Sequence, residues 1–295
     1  MRWVLVTGAT SGIGKACARR LAEAGYGVIA CGRRPQALRA IEAEAARDHL
    51  MLVPLSLDVT DPGEIHNAVE KTEIITSGQG IDVLVNNAGY GQTGFLLELS
   101  GEQLRHQFDV NFFSVLEMTK ALLPQLERNR GTVINMGSIL SRLSVPWVGL
   151  YGTVKNALHM ITDVLRVELH GAGIRVVLVE PGAIKTPFFD TAIASQGVGD
   201  QPEASSPTPF PPGGRLAVLY TRARLRLSQV AYRPFLLFPP IQVDRVADLV
   251  VRIVRRRSRR RQYVVPLGAG ALLSLLKLIP RPLLDHFKRR AFYLN

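Results

Sequence analysis

An apolar run, Trp3-Val4-Leu5-Val6, is followed at once by the glycine-rich TGATSGIG of residues 7–14, and then by residues 15–24, rich in Ala, Leu and Arg. Short apolar runs bounded by glycine suit buried strands, while Ala, Leu and Arg favour helix. The chain therefore opens as strand, tight turn, helix. Gly8, Gly12 and Gly14 let a backbone come close to a phosphate, and the helix start beyond them offers unpaired N–H groups and the positive end of a dipole. The spacing is Gly-x-x-x-Gly-x-Gly rather than the Gly-x-Gly-x-x-Gly of many dinucleotide folds. By itself it leaves a purely structural loop open.

The pattern continues along the chain. Val4-Leu5-Val6, Val28-Ile29-Ala30, Leu52-Val53-Pro54-Leu55, Val83-Leu84-Val85, Val133-Ile134-Asn135 and Val176 to Val179 are short enough for buried parallel strands, with helical stretches between them. A chain of 295 residues with 47% hydrophobic content buries a substantial core. The expectation is an α/β fold, one doubly wound parallel sheet with helices on both faces, and no internal repeat.

Tyr151 and Lys155 lie four apart on a helical stretch, with Ser138 thirteen residues upstream. A tyrosine and a lysine at that spacing are neighbours on any helix and alone mean little. Their company changes this. TGATSGIG, Asp58-Val59, Asn86-Asn87-Ala88-Gly89, Asn111, Ser138, Tyr151, Lys155 and Pro181-Gly182 through Thr186 stand in the order found in the short-chain dehydrogenase/reductase family, which the chain resembles from residue 2 to about residue 190. IDVLVNNAGYG and IRVVLVEPGAIKTPF are most similar to the 17-beta-hydroxysteroid-dehydrogenase-like and retinol-dehydrogenase-like group. Two small departures touch no catalytic group: Gly152 follows Tyr151 where serine is common, and Gly137 precedes Ser138 where a second serine is frequent.

The resemblance implies a Rossmann-type domain binding NADP(H) or NAD(H). Residues 1–190 would be the cofactor-binding and catalytic core, 191–245 a substrate lid, and 246–295 a basic and apolar extension. It implies cofactor contacts from Gly8, Thr10, Ser11, Gly12, Ile13, Gly14, Asp58, Val59, Asn87, Ala88, Gly89, Tyr151, Lys155, Pro181, Gly182, Ile184 and Thr186. It also implies that Asn111 holds a water in a proton path; the plain alternative for Asn111 is a polar residue bonding helix backbone.

The residue types suit the chemistry. Hydride transfer to a ketone leaves charge on oxygen, so the site needs a proton donor and a second donor to hold the carbonyl. Tyr151 and Ser138 fit those roles. A free tyrosine, with a pKa of about 10, exchanges protons poorly near neutrality, and a nearby cation such as Lys155 favours the phenolate.

Cofactor choice is set after the second strand, where an acid commonly bonds the adenine ribose of NAD and an arginine accommodates the extra phosphate of NADP. Here the chain reads Gly32-Arg33-Arg34 with no acid. That predicts NADP(H), with Arg33 as the phosphate contact and Arg34 and Lys15 as further positive charges.

Two cysteines, Cys17 and Cys31, indicate no disulfide framework. A chain that starts straight into a strand leaves no room for a signal peptide, so the expected setting is cytoplasmic, at the membrane surface if the tail docks there.

Charge is uneven. From Arg215 to Asn295 the chain carries eighteen Lys and Arg against three Asp, a net +15 against +12 for the whole, which leaves −3 for residues 1–214. Seven arginines fall within residues 252–261, and Lys288-Arg289-Arg290 follow Leu283, Leu284 and Phe287. The uncharged stretch 264–276 is short of the ~20 residues that span a bilayer. Apolar stretches flanked by basic residues predict contact with anionic lipid; packing on the domain or its partner is the alternative, left open here. The arginine run also raises nucleic-acid binding, but no such motif surrounds it.

Between Thr186 and Asp244 the expected lid divides into a Pro/Gly/Ser-rich loop at 196–214 and a helical stretch at 216–232. Phe188, Phe189, Phe210, Tyr220, Tyr232, Trp147 and Leu150 predict a bulky hydrophobic substrate. The resulting expectation is an NADPH-dependent carbonyl reductase acting on a lipophilic ketone or aldehyde, homodimeric or homotetrameric, with no metal. A non-catalytic NADP-binding regulator is the alternative.

Overall fold

The structure, a computed structural model, describes residues 1–184, 214–230, 240–256, 260–276 and 278–292. Seven strands form one sheet in which every pairing is parallel. They are β1 Trp3–Val6, β2 Gly27–Gly32, β3 Leu52–Ser56, β4 Val83–Asn86, β5 Thr132–Met136, β6 Arg175–Pro181 and β7 Gln262–Val265. The order is β3-β2-β1-β4-β5-β6-β7. Pro54 lies in β3, the edge strand, where a missing N–H costs no ladder bond.

Alternate strand residues feed opposite faces. Val4, Val6, Val28, Ala30, Val83 and Val85 pack against Cys17, Ala18 and Leu21 of α1 (Gly12–Glu23) and Ile41 and Ala45 of α2 (Pro35–Arg47). Leu5, Ile29, Leu84 and Val133 pack against Ile65 and Ala68 of α3 (Pro62–Ile75), with Met118, Leu122 and Leu126 near α5 (Ser114–Ala121) and α6 (Leu123–Arg128). Before α5, α4 (Gly101–Phe108) runs into a π turn, Asp109–Phe113. The long α7 spans Gly149–Glu168, and α8, Arg215–Val230, matches the helical stretch expected in the lid.

Residues 246–295, expected as a basic and apolar extension that docks on lipid or packs on the domain, are divided. In α9 (Val243–Arg255), Val246, Ala247, Val250, Ile253 and Val254 are buried in the same core face as α1. These apolar residues recur at three- and four-residue intervals and make one stripe; Arg252 and Arg255 take the exposed side. β7 then pairs with β6, and the uncharged stretch 264–276 ends that strand and fills α10 (Leu267–Leu276) before α11 (Arg281–Ala291). The arginine run thus brackets a core helix and a sheet strand, and residues 257–259 lie outside the described residues.

Ile253→Ala should therefore lower stability by about 2–5 kcal/mol, the usual cost of emptying a buried site. Urea unfolding would read this as a lower midpoint at unchanged slope. A loss under about 0.5 kcal/mol, typical of surface changes, would return α9 to an appended tail.

Candidate active site

Strand order reverses between β1 and β4, which lie side by side while the chain leaves β1 toward β2. In such sheets the crevice beyond the carboxyl ends of those strands is where ligands bind. The loops after β1 and β4 are stitched together there. Thr7 Oγ1 accepts the N–H groups of Asn87 (3.0 Å) and Ala88 (2.9 Å) and donates to Val85 O (3.3 Å). Asn87 Nδ2 returns bonds to Thr7 O (2.9 Å) and Gly8 O (3.2 Å). A Cβ on Gly14 would sit 2.2 Å from Gly8 O, so that position admits only glycine; Gly12 holds φ +53. Ser11, at the N-cap of α1, makes no side-chain cap bond, and no acid stands in the first turn. This close-approach turn at an uncapped helix start fits the phosphates of a dinucleotide.

Beyond β2, Arg33 donates to Asp58 Oδ2 (3.2 Å), and Arg34 reaches Thr10 O (3.2 Å) and Oγ1 (3.4 Å) in the glycine loop. Partial burial pushes the Asp58 carboxyl up, but bonds from Thr60 and Arg33 outweigh it and hold Asp58 below its usual range. Val59 is buried beside it, and Ile13 packs on the core. Lys15, expected as a further phosphate charge, is engaged elsewhere: Nζ is 2.6 Å from Glu44 of α2.

Ser138 caps the 3₁₀ turn Ile139–Arg142, its Oγ accepting from Leu140 N at 3.1 Å. Tyr151 and Lys155, in the first turns of α7, are both buried. Burial pushes the Tyr151 hydroxyl up to about 12, opposed by a hydrogen bond from Ser138. Burial pulls Lys155 down to about 8. Its Nζ donates to Met136 O (2.8 Å) and stands 5.8 Å from the Tyr151 ring centre. The sequence alone led us to expect Lys155 to set the tyrosine; here desolvation dominates and Ser138 supplies the opposing bond. The two departures have steric reasons: a Cβ on Gly152 would meet Leu140 O at 3.0 Å, and one on Gly137 would meet Glu180 Cγ at 3.2 Å.

Asn111 bonds backbone, but of the loop after β4 rather than of a helix. Its Oδ1 accepts from Tyr90 N (3.0 Å) and Nδ2 donates to Tyr90 O (2.7 Å). Gln107, four residues earlier, donates to Tyr90 O (2.8 Å) and accepts from Gln92 N (2.6 Å). A Cβ on Gly89 would meet Asn111 Oδ1 at 2.7 Å. Pro181 ends β6, Gly182 N bonds Val265 O (2.7 Å), and Ile184 bridges Ile241. Thr186 lies outside the described residues.

Two groups escaped the sequence. One is Thr7, the first letter of the glycine motif, whose hydroxyl locks the two loops. The other surrounds Glu180, which has no exposed surface. It accepts from Ser141 Oγ (2.8 Å), Arg142 and Gln262 Nε2 (2.6 Å), and His159 Nδ1 lies 3.4 Å away. Burial would raise this carboxyl, but those donors together hold it below its usual range. The available signal was an acid directly after the apolar run Val176-Val177-Leu178-Val179, before Pro181.

Beside the 3₁₀ turn and the start of α7 stands an apolar wall. Phe95, Trp147, Val148, Ala223 and Phe292 are buried together. Trp147 holds φ +71, a costly conformation for a bulky residue. Its carbonyl accepts from Gly94 N (2.7 Å), and its ring meets Phe95 edge-on at 5.2 Å. Tyr220 of α8 stacks on Phe95 at 4.4 Å. Phe188, Phe189, Phe210 and Tyr232 lie outside the described residues.

Comparison with known proteins places this geometry. A family model described as short chain dehydrogenase matches residues 2–197. Dehydrogenase/reductase SDR family member 7B of Mus musculus is 35% identical over 200 residues, 66% of this chain and 61% of that protein. Human 11-beta-hydroxysteroid dehydrogenase type 2 is 37% identical over 186 residues, 63% and 46% of the two chains. The 3-ketodihydrosphingosine reductase of Bacteroides thetaiotaomicron is 37% identical over 197 residues, 66% and 69%. The match thus spans less than two thirds of the first two relatives. A short-chain dehydrogenase structure from Streptomyces avermitilis superposes with a TM-score of 0.73 at 27% identity, covering 98% of this chain and 97% of its own.

Removing one partner of a buried ion pair strands the other charge, so Glu180→Ala and Arg142→Ala should each cost about 3–5 kcal/mol. The double variant should cost well under their sum in a denaturation cycle. Strict additivity would show that the pair is not coupled.

Proposed function

The chain belongs to the short-chain dehydrogenase family, and from that premise we propose that it is an NADP(H)-dependent reductase of lipophilic ketones or aldehydes. Members of this family are oxidoreductases that act on carbonyl or hydroxyl groups with a nicotinamide cofactor. The observation that carries the finer reading is the buried Tyr151 hydroxyl, bonded by Ser138, with Lys155 Nζ 5.8 Å from its ring centre.

The bound cofactor would supply the hydride. This chain's residues do the rest. As charge develops on the substrate oxygen, Tyr151 gives it the phenolic proton, and Ser138, whose Oγ accepts from Leu140 N, would turn the proton it gives Tyr151 to hold the same oxygen. Lys155, cationic below about 8, stabilises the phenolate left behind. Tyr151 as a proton source favours the reductive direction.

NADP(H) is favoured by Arg33 and Arg34 at the end of β2, where no carboxylate follows Gly32 to repel a phosphate. The lipophilic class is favoured by the Phe95, Trp147 and Tyr220 wall, and by relatives named for a hydroxysteroid and a ketodihydrosphingosine. Met160, Val164 and Val167 are 65%, 46% and 76% exposed along α7. That stripe suits self-association as a homodimer or homotetramer.

Tyr151→Phe should abolish NADPH oxidation while sparing NADPH binding by fluorescence titration; retained turnover would remove Tyr151 from the acid role. Arg33→Ala should weaken NADPH by about 10–100-fold, the worth of a hydrogen bond to a charged group, and leave NADH unchanged. Equal weakening of both cofactors would move the phosphate site away from Arg33.

Lys155 carries its charge below about 8 and loses it above. The kcat/KM for reduction should therefore fall as pH rises through about 8. A profile flat from about pH 6 to 10 would show that Lys155 is not the titrating group.

A further inference from the structure

Helix α11 has no buried residue along Arg281–Ala291. Helices of that length depend on burying an apolar face, yet its Leu283 and Phe287, one turn apart, are 47% and 57% exposed. Leu275 at the end of α10 and Leu278 in the following turn add 60% and 79% exposure. Four large apolar side chains thus stand in solvent within a short stretch, in a segment where Asp285 is the one acid from residue 260 to 295. Arg290, three residues after Phe287, is exposed on the same side of the helix, and Arg281 and Arg289 are exposed on the other side.

We propose that α11 and the turn before it are a docking surface for a membrane carrying anionic phospholipid. An exposed apolar face with an arginine beside it, on a short helix that carries further cations, matches the headgroup and acyl boundary of such a membrane, where Leu and Phe bury and Arg meets phosphate. Among the described residues no helix is long and apolar enough to cross a bilayer, so α11 rests on the surface. A second copy is a poorer occupant, because two-fold pairing would bring Arg281, Arg289 and Arg290 close to themselves.

The surface is tied to the site. Phe292, just after α11, is buried among Phe95, Trp147 and Val148, and Lys288 Nζ bonds Ser144 Oγ at 2.7 Å, between Ser138 and Tyr151 in the chain. Docking would bring the apolar wall close to the bilayer; this link to turnover rests on the lipophilic-substrate reading, while the binding itself does not.

The test is co-sedimentation of the full chain with vesicles of phosphatidylcholine alone and of phosphatidylcholine with phosphatidylserine, at low and high salt. Binding to the anionic vesicles, weakened by salt, is expected. Leu283→Ser/Phe287→Ser and Arg289→Glu/Arg290→Glu should each lower it at least about tenfold, with thermal unfolding and NADPH binding unchanged. The proposal is overturned by a folded wild type that ignores both vesicles, by double variants that bind as it does, or by an oligomer that dissociates in Leu283→Ser/Phe287→Ser. Vesicle binding without carbonyl turnover would sink the reductase reading and leave the docking surface standing.

Discussion

A carboxylate with no exposed surface organises the end of this molecule that holds the candidate active site. Glu180 ends the apolar run of β6, and its charge survives burial because Ser141, Arg142, His159 and Gln262 surround it. Those partners come from the 3₁₀ turn after Ser138, from α7 two turns beyond Tyr151, and from β7. A buried ion is expensive unless every lone pair is engaged, so the arrangement is satisfied only when all four segments are in place. Ser138, Tyr151 and Pro181-Gly182 are thereby held relative to one another by a group that touches none of the reacting atoms. A Cβ at Gly137 would crowd Leu178 Cδ1 (3.0 Å) as well as Glu180 Cγ (3.2 Å).

The cofactor side uses neutral groups to the same end. One hydroxyl, Thr7, and two amides, Asn87 and Asn111, tie the loops after β1 and β4 to each other and to the π turn. Behind them Asn86 Nδ2 bonds Thr119 Oγ1 (3.2 Å) and Asn135 Oδ1 (3.0 Å), and Asn135 Nδ2 bonds Thr162 Oγ1 (3.0 Å). A polar chain crossing two central strands with these bonds satisfied rigidifies the floor on which both sites stand. Preorganisation of this kind is what an electrostatic site needs, because donors already fixed require no reorganisation when charge develops.

What was legible in the sequence followed from local rules. Six strands announced themselves as apolar runs between glycines and helices, and Ser138, Tyr151 and Lys155 lie near one another. α9 and β7 were hidden because arginines dominate residues 252–261; the buried stripe of Val246, Val250, Ile253 and Val254 only becomes decisive once α1 is there to receive it. Lys15 and Arg33 were read as free charges because their partners, Glu44 and Asp58, lie 29 and 25 residues away. Glu180 was invisible for the same reason on a larger scale, with Arg142 and Gln262 at separations of 38 and 82. Tyr151 was assigned to its neighbour Lys155, but its hydroxyl answers first to burial, a property of the folded whole.

The C-terminal segment joins these strands of reasoning. Gln262 brings β7 to Glu180, and Gly182 N bonds Val265 O, so the strand that completes the sheet also fixes the turn after β6. Thirty residues further on, Phe292 closes the apolar wall against Trp147, whose backbone is held at φ +71. Such a conformation persists only where surrounding contacts over-determine it, and here they include Phe95, the Gly94 N–H and Phe292. The C-terminal segment is therefore part of the wall and of the electrostatic frame. Its remaining freedom lies in α11, where apolar and basic side chains are left to solvent, and a surface there is mechanically continuous with the residues that would meet a substrate.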